Sequence, residues 1–393
     1  MKKISKSVIL LVFIVSIFIL DVFNKEQSYS WNSYLPLIKI FKFICFLYFF
    51  ASIIVEKKYK SIRNLAVLLV IFLLGQFSLL NFNQKFLVGE FFNASREFIL
   101  LCYPLVFYYY LNSLDYAELK DSLVKLIKAL MIVVVITTIV GFLFSIPFFR
   151  TYTSRFGYMG LLPKSITASY FYISAILFLY YLVLYENAKK TLLILTLIAS
   201  LLVGTKAIYL FLLILFAYHF ISQKIYLKKE FYIFASIFFT VVFVTYDKWK
   251  HALEATFVNL YRIFKRDGFI TAVTSYRNLK FVSNVDAYLS HWKWYNYLVG
   301  GRIASCPLFE MSVLDLFVNL GLIGSIYYLR LFYKLALNAP KKNESILLFS
   351  FGSILIVSIF AGQFFSNFSA ISYTIIIIYL IRSSLNNRIK NEI

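Results

Sequence analysis

Twelve apolar runs set the terms for anything this chain can fold into. They lie at about residues 6–23, 34–55, 64–82, 96–112, 123–146, 166–185, 191–204, 206–222, 231–246, 311–333, 345–361 and 366–382. Inside them the apolar residues are nearly continuous, so no single buried face accounts for them. A helix apolar all round belongs in lipid, where about 20 residues cover the ~30 Å hydrocarbon core. Composition agrees: 61% of the 393 residues are hydrophobic and only 15% charged, against roughly a quarter charged in soluble domains. The chain is therefore expected to be an all-α polytopic integral membrane protein with about twelve transmembrane helices. Between the seventh and eighth runs stand only Gly204, Thr205 and Lys206, which favours a tight turn over one long helix.

The net charge of +22 would point to nucleic acid in a soluble protein. Here its placement follows the positive-inside rule. With the N-terminus inside, Lys57, Lys58, Lys60, Arg63, Lys189, Lys190, Lys224, Lys228, Lys229, Lys341, Lys342, Arg388 and Lys390 all fall inside. That assigns roughly 22 basic residues to the inner side and about 7 to the short outer loops, so both termini are expected in the cytoplasm. Met1, Lys2, Lys3 and the apolar stretch 8–20 look like a signal peptide. Asp21, Val22 and Phe23 offer no small-residue cleavage site, which makes this an uncleaved first span. Three regions follow: residues 1–246 with spans one to nine, a large outer loop at 247–310, and residues 311–393 with the last three spans and a cytoplasmic tail. Long loops translocate regardless of charge. Within this one Ala252, Leu253, Phe257, Leu260, Ile263 and Phe264 recur at helical spacing, the pattern of an amphipathic helix on the membrane surface.

The outer side collects cations. Arg150 and Arg155 precede the sixth span, Lys206 lies in the tight turn, and the loop carries Arg262, Lys265, Arg266, Arg277, Lys280 and Arg302. Lys39 and Lys42 share one face of the second span. A cation so placed costs roughly 2.5–3.5 kcal/mol, so it either snorkels to headgroups or helps bind an anion. Guanidinium forks suit phosphate especially well. Glu310 and Asp315 are the conspicuous acids, at the start of the tenth span. For Glu310 the two readings are an ion pair with an arginine such as Arg302 and a functional carboxylate. His291, beside Trp292 and Trp294, fits an interfacial aromatic cluster better than a catalytic base. Cys45, Cys102 and Cys306 are odd in number and lack metal-ligand spacing, so neither disulfide nor zinc is indicated. No Walker loop, dinucleotide pattern or metal-spaced acidic cluster is present; no cofactor, metal or nucleic-acid partner is expected.

The loop and its flanks resemble the O-antigen ligase and Wzy-type polymerase superfamily. Arg155, Phe156 and Gly157, with Leu162, Pro163 and Ala168, are similar to its arginine, glycine and Pro-Asn stretch, with Lys164 replacing asparagine. Leu202 through Lys206 resemble its Thr-Gly-Ser-Arg turn, with lysine replacing arginine. Ser275, Tyr276 and Arg277, then Leu298 to Gly301, look like its loop arginine and Leu-Leu-Gly-x-Gly segment. Glu310 through Gly324 resembles the motif opening the next span. The set covers roughly residues 150–330. Ligases of this kind carry a histidine eleven residues before the first glycine of that motif, where this chain has Glu310, a departure that favours polymerase.

The resemblance implies a GT-C-like fold in a bacterial cytoplasmic membrane. It implies a glycosyltransferase that moves a growing glycan from undecaprenyl pyrophosphate onto a lipid-linked repeat unit at the outer face, for O-antigen or capsule. Donor and acceptor would both be undecaprenyl-pyrophosphate-linked oligosaccharides, and a chain-length regulator would be a further partner. On that reading Arg155, Lys206, Arg277 and Arg302 bind pyrophosphate, Glu310 is the general base, and Trp292 and Trp294 stack on sugars. A ligase is the nearest alternative. A flippase of lipid-linked oligosaccharides is the alternative of another class, although the internal repeat common in transporters is not evident.

Overall fold

The computed structural model describes residues 5–30, 37–80, 88–153, 156–229, 261–272, 276–303, 308–337 and 344–392, with positions 232, 236, 240, 274 and 306. Among them the chain is helical, and the one β feature is an isolated bridge between Arg150 and Tyr158. The long helices are α1 (Lys6–Ser30), α2 (Leu37–Val55), α3 (Tyr59–Leu80), α4 (Val88–Leu111), α5 (Tyr116–Leu143), α6 (Ser165–Tyr185), α7 (Thr191–Leu202) and α8 (Lys206–Ser222). After the loop helices α9 (Arg277–Leu289) and α10 (Trp294–Val299) come α11 (Ser312–Leu337), α12 (Glu344–Ala361) and α13 (Phe368–Glu392). Of the expected ninth span, 231–246, only 232, 236 and 240 are described, all helical. Of the expected surface helix, Ile263 and Phe264 lie in the helical stretch 261–272, and the residues before 261 lie outside the described ones.

Contacts sort the helix ends into two groups, which shows that the helices alternate in direction. At one end Lys6 and Lys58 pair with Glu56, and Lys58 also donates to the Tyr109 carbonyl. Lys120 lies 3.6 Å from Glu186, which accepts from Ser384, and Arg382 donates to Leu335 and Asn112. The start of α1 and the later turns of α13 thus share an end. The other end gathers the end of α1 and the starts of α6, α8, α11 and α13: Lys25 donates to the Gly160 carbonyl, Thr151 to the Val203 carbonyl, and Phe364 N–H to Ser312 Oγ. Residues 191–222 form two helices, with the Tyr209 hydroxyl reaching back to the Leu201 carbonyl across the turn.

Six of these helices are long and apolar enough to cross a membrane: α1, α3, α5, α6, α11 and α13. The stretches Thr191–Leu202, Lys206–Ser222 and Ser345–Phe360 are apolar but shorter. At 1.5 Å per residue the 12-residue α7 covers only about 18 Å. Helix α4 spends its opening turns on Glu90, Arg96 and Glu97 before its apolar stretch begins. Lipid is nonetheless the only solvent this surface tolerates. Val8, Val12, Val15 and Ile19 form an exposed stripe on α1, and Val67, Val70, Leu74 and Phe77 another on α3. Similar stripes run along α5, α7 and α11. Apolar patches of that extent mark a membrane-facing surface.

Helices α6 and α13 form the axis, and their membrane-length windows are 89% and 100% buried. Lipid is as apolar as leucine, so helices here associate through close packing and hydrogen bonds. Ala168, Ala175, Ala370 and Ser372 are small buried residues, and Ser174 bonds Thr374 at 2.8 Å between the two helices.

The segment between α8 and α11 sends a wedge back into the bundle. The short α10 and the following Gly300 and Gly301 insert between α3 and α11. There α11 breaks at Gly321 (φ 63°, ψ −171°). A side chain at Gly300 would strike the backbone of Asn319 to Gly321, so only glycine allows this approach. Gly301 N–H recovers one bond from the Val318 carbonyl at 3.1 Å.

Candidate functional site

The turn from Phe360 to Phe364, between α12 and α13, is the floor on which the site is assembled. Glu310 rests on it: Gly362 (φ 64°) lies so close beneath the Glu310 carbonyl that any side chain there would collide with it. Ser312, at the start of α11, ties the same turn by accepting from Phe364 N–H. Arg277 donates to the Phe360 carbonyl. The three contacts bring a loop residue, the entry to α11 and the end of α12 to one point.

Glu310 has φ 57°, the left-handed region, which costs a non-glycine residue about 1–3 kcal/mol and is found most often at functional sites. Its carboxylate is accessible, with 37% of the side chain exposed. Lys280 Nζ is 2.7 Å from Oε1 and Arg277 Nε is 4.0 Å from Oε2. Arg277 and Lys280 stand three apart on α9, hence on one face. The partner of Glu310 is thus Lys280 with Arg277, and the expected pairing with Arg302 does not occur.

Lys206 begins α8 at the same end of the bundle and donates to the Ala272 carbonyl in the helical stretch 261–272 of the loop. Arg155 lies outside the described residues. Trp294 is exposed, with its ring against Tyr295. Of the two lysines on α2, Lys39 is exposed, whereas Lys42 turns inward with its ammonium 5.4 Å from the centre of the Phe368 ring. Nearby, Asp21 accepts from Ser369 at 2.9 Å. His291 folds onto the end of its own helix, with Nδ1 2.8 Å from the Ala287 carbonyl and 2.9 Å from Ser290 Oγ.

Arg302 and Trp292 belong to a different structure, the root of the loop. Arg302 is 4% exposed. Its Nε donates to Glu97 at 2.8 Å, and its other nitrogens reach Glu97, the Tyr288 hydroxyl and the carbonyls of Ile303 and Cys306. Burial works against its charge, but the Glu97 carboxylate and the Tyr288 hydroxyl outweigh that and hold its guanidinium above the usual range. Gln76 completes the clamp: its amide accepts from Arg302 N–H at 2.9 Å and donates to the Arg302 carbonyl at 3.3 Å. Trp292 is buried and donates to the Gly301 carbonyl at 2.9 Å. With these donors engaged inside the fold, neither side chain is presented to a ligand.

Sequence reasoning missed Glu97 as the partner of Arg302 and Lys280 as that of Glu310. The i, i+3 spacing of Arg277 and Lys280 was the available signal for the second; nothing in sequence links residues 97 and 302. Comparisons with models of known families, with curated proteins and with solved structures find no match to this chain.

Proposed function

We propose that this protein is a membrane glycosyltransferase, a polysaccharide polymerase of the Wzy kind. The supporting observation is the exposed Glu310 carboxylate, held in a left-handed turn beside Arg277 and Lys280 at one end of an apolar helical bundle. On this reading the chain crosses the bacterial cytoplasmic membrane about twelve times, in a GT-C-like arrangement. Both termini lie in the cytoplasm, and the Glu310 end faces outward.

The substrates are glycans on undecaprenyl pyrophosphate, whose prenyl tail requires lipid access and whose head requires cations. Glu310 Oε2, free of the closer lysine, takes the proton from the attacking sugar hydroxyl as it reaches the anomeric carbon of the donor. The bond from that carbon to the phosphate oxygen breaks, and the electron pair leaves with the lipid pyrophosphate. Arg277, Lys280, Lys206 and Arg155 stabilise that developing charge. Trp294, exposed at the mouth, stacks on a sugar ring. Arg302 and Trp292 hold the loop that carries Arg277. A chain-length regulator is a partner on the same reading.

Two motifs of the resemblance also touch in the fold. Gly300, in the segment similar to Leu-Leu-Gly-x-Gly, packs on Gly321, in the motif that opens α11.

Deleting the gene in its host and running the surface polysaccharide on a gel tests the proposal. A ladder that collapses to a single repeat unit is the expected result. Full-length polymer stranded on the lipid carrier would replace the polymerase with a ligase. Lipid-linked repeats trapped inside would replace it with a transporter.

A further inference from the structure

The floor of the site holds a fourth group that the sequence did not single out. Tyr170 is on the second turn of α6, and its ring packs on Phe364 with centroids 4.7 Å apart. It is 0% exposed, and its hydroxyl has no hydrogen-bond partner among the described residues. Arg277 Nε is likewise buried with no hydrogen bond. Both side chains grip the same short turn, Arg277 through the Phe360 carbonyl and Tyr170 through the Phe364 ring. Buried polar groups are almost always satisfied, so two unsatisfied donors packed on one five-residue floor call for an acceptor there.

We propose that Tyr170 is a further substrate-binding residue of this site, whose hydroxyl and Arg277 Nε together donate to one oxygen of the pyrophosphate leaving group. The inference rests on the proposed function and adds a neutral donor from the bundle axis to the cations of the loop. A donor on α6 is fixed by the most deeply packed part of the fold, whereas α9 reaches the floor from the loop. Tyr170 therefore sets where the pyrophosphate sits, and α9 brings its charges to that place. As the anomeric carbon–oxygen bond breaks, the electron pair passes to the pyrophosphate. Tyr170 keeps its proton and its hydrogen bond strengthens with the growing charge.

The test uses the full-length protein in lipid nanodiscs with farnesyl pyrophosphate as the probe, titrated by calorimetry. Tyr170→Phe keeps the ring and its packing and removes only the hydroxyl. Its affinity should fall about 10- to 100-fold, the usual worth of a hydrogen bond to a charged group. The double variant with Arg277→Lys should lose less than the sum of the two single losses, because both act on one oxygen. Tyr373→Phe removes another buried hydroxyl with no hydrogen-bond partner among the described residues, on a ring that packs against Phe171 and not on the floor, and should bind as the unmodified protein does. Unchanged affinity in Tyr170→Phe, or an equal loss in Tyr373→Phe, overturns the inference and leaves the polymerase reading intact. An unmodified protein that does not bind the probe overturns both.

Discussion

Arg277 and Arg302 sit on the same loop between α8 and α11, twenty-five residues apart, and are put to opposite uses. Arg302 is sealed against Glu97, with its remaining nitrogens consumed by Tyr288 and two carbonyls. Arg277 spends one nitrogen on the Phe360 carbonyl, keeps Nε without a hydrogen bond, and stands 4.0 Å from an exposed carboxylate. A fully satisfied buried arginine makes one arrangement rigid. A partly satisfied one at a surface keeps donors for something else. One loop thus has a rigid root and a chemically unfinished front, and the root fixes where the front can be.

The contrast predicts that the two regions fail differently. Glu310→Gln should lower polymer formation by about 10²–10⁴-fold, the usual worth of a general base, while unfolding in detergent hardly changes. Its ion pair with Lys280 is exposed and contributes only about 0–1 kcal/mol. A variant that keeps a normal ladder would remove Glu310 from the chemistry. Arg302→Ala should do the reverse. It strands Glu97 in the bundle, so a loss of about 3–5 kcal/mol of stability is expected, read as a large drop in melting temperature and yield. Arg302→Lys should recover little, since an ammonium cannot reproduce the fork. If Arg302→Ala melts normally and loses only activity, the root is part of the site and the contrast fails.

Glu310→Gly sharpens the same comparison. It relieves a left-handed backbone and should hold or raise the stability, by up to about 1 kcal/mol, read as an unchanged or higher melting temperature. Activity should vanish with it. The smallest effect belongs to the far end of the bundle. Burial of Glu56 favours its protonated form, but Lys6 and Lys58 outweigh this and hold its carboxyl below the usual range. A lowered folded pKa gives stability that is fully present above the unfolded value, about 4.3. That stability is lost as pH falls through the folded value. Glu56→Gln should therefore cost about 0–1 kcal/mol at neutral pH, and the difference in melting temperature from the unmodified protein should close in acid.

Much of the architecture was legible in the chain, because lipid imposes a local rule. Each span must satisfy its own backbone bonds and carry its own apolar residues, so the pattern is written within each run. The helices around 166–185, 311–333 and 366–382 and the turn at Gly204 are of that kind. What the chain by itself did not reveal is which distant residues meet. That Arg302 belongs to Glu97 and Glu310 to Lys280 depends on a wedge passing between α3 and α11. That Tyr170 and Arg277 meet the same turn depends on α6 packing against the segment that enters α13. Such pairings are fixed by shape and by the cost of leaving a buried polar group unmatched. Both are properties of the assembled bundle, and no local run of sequence records them.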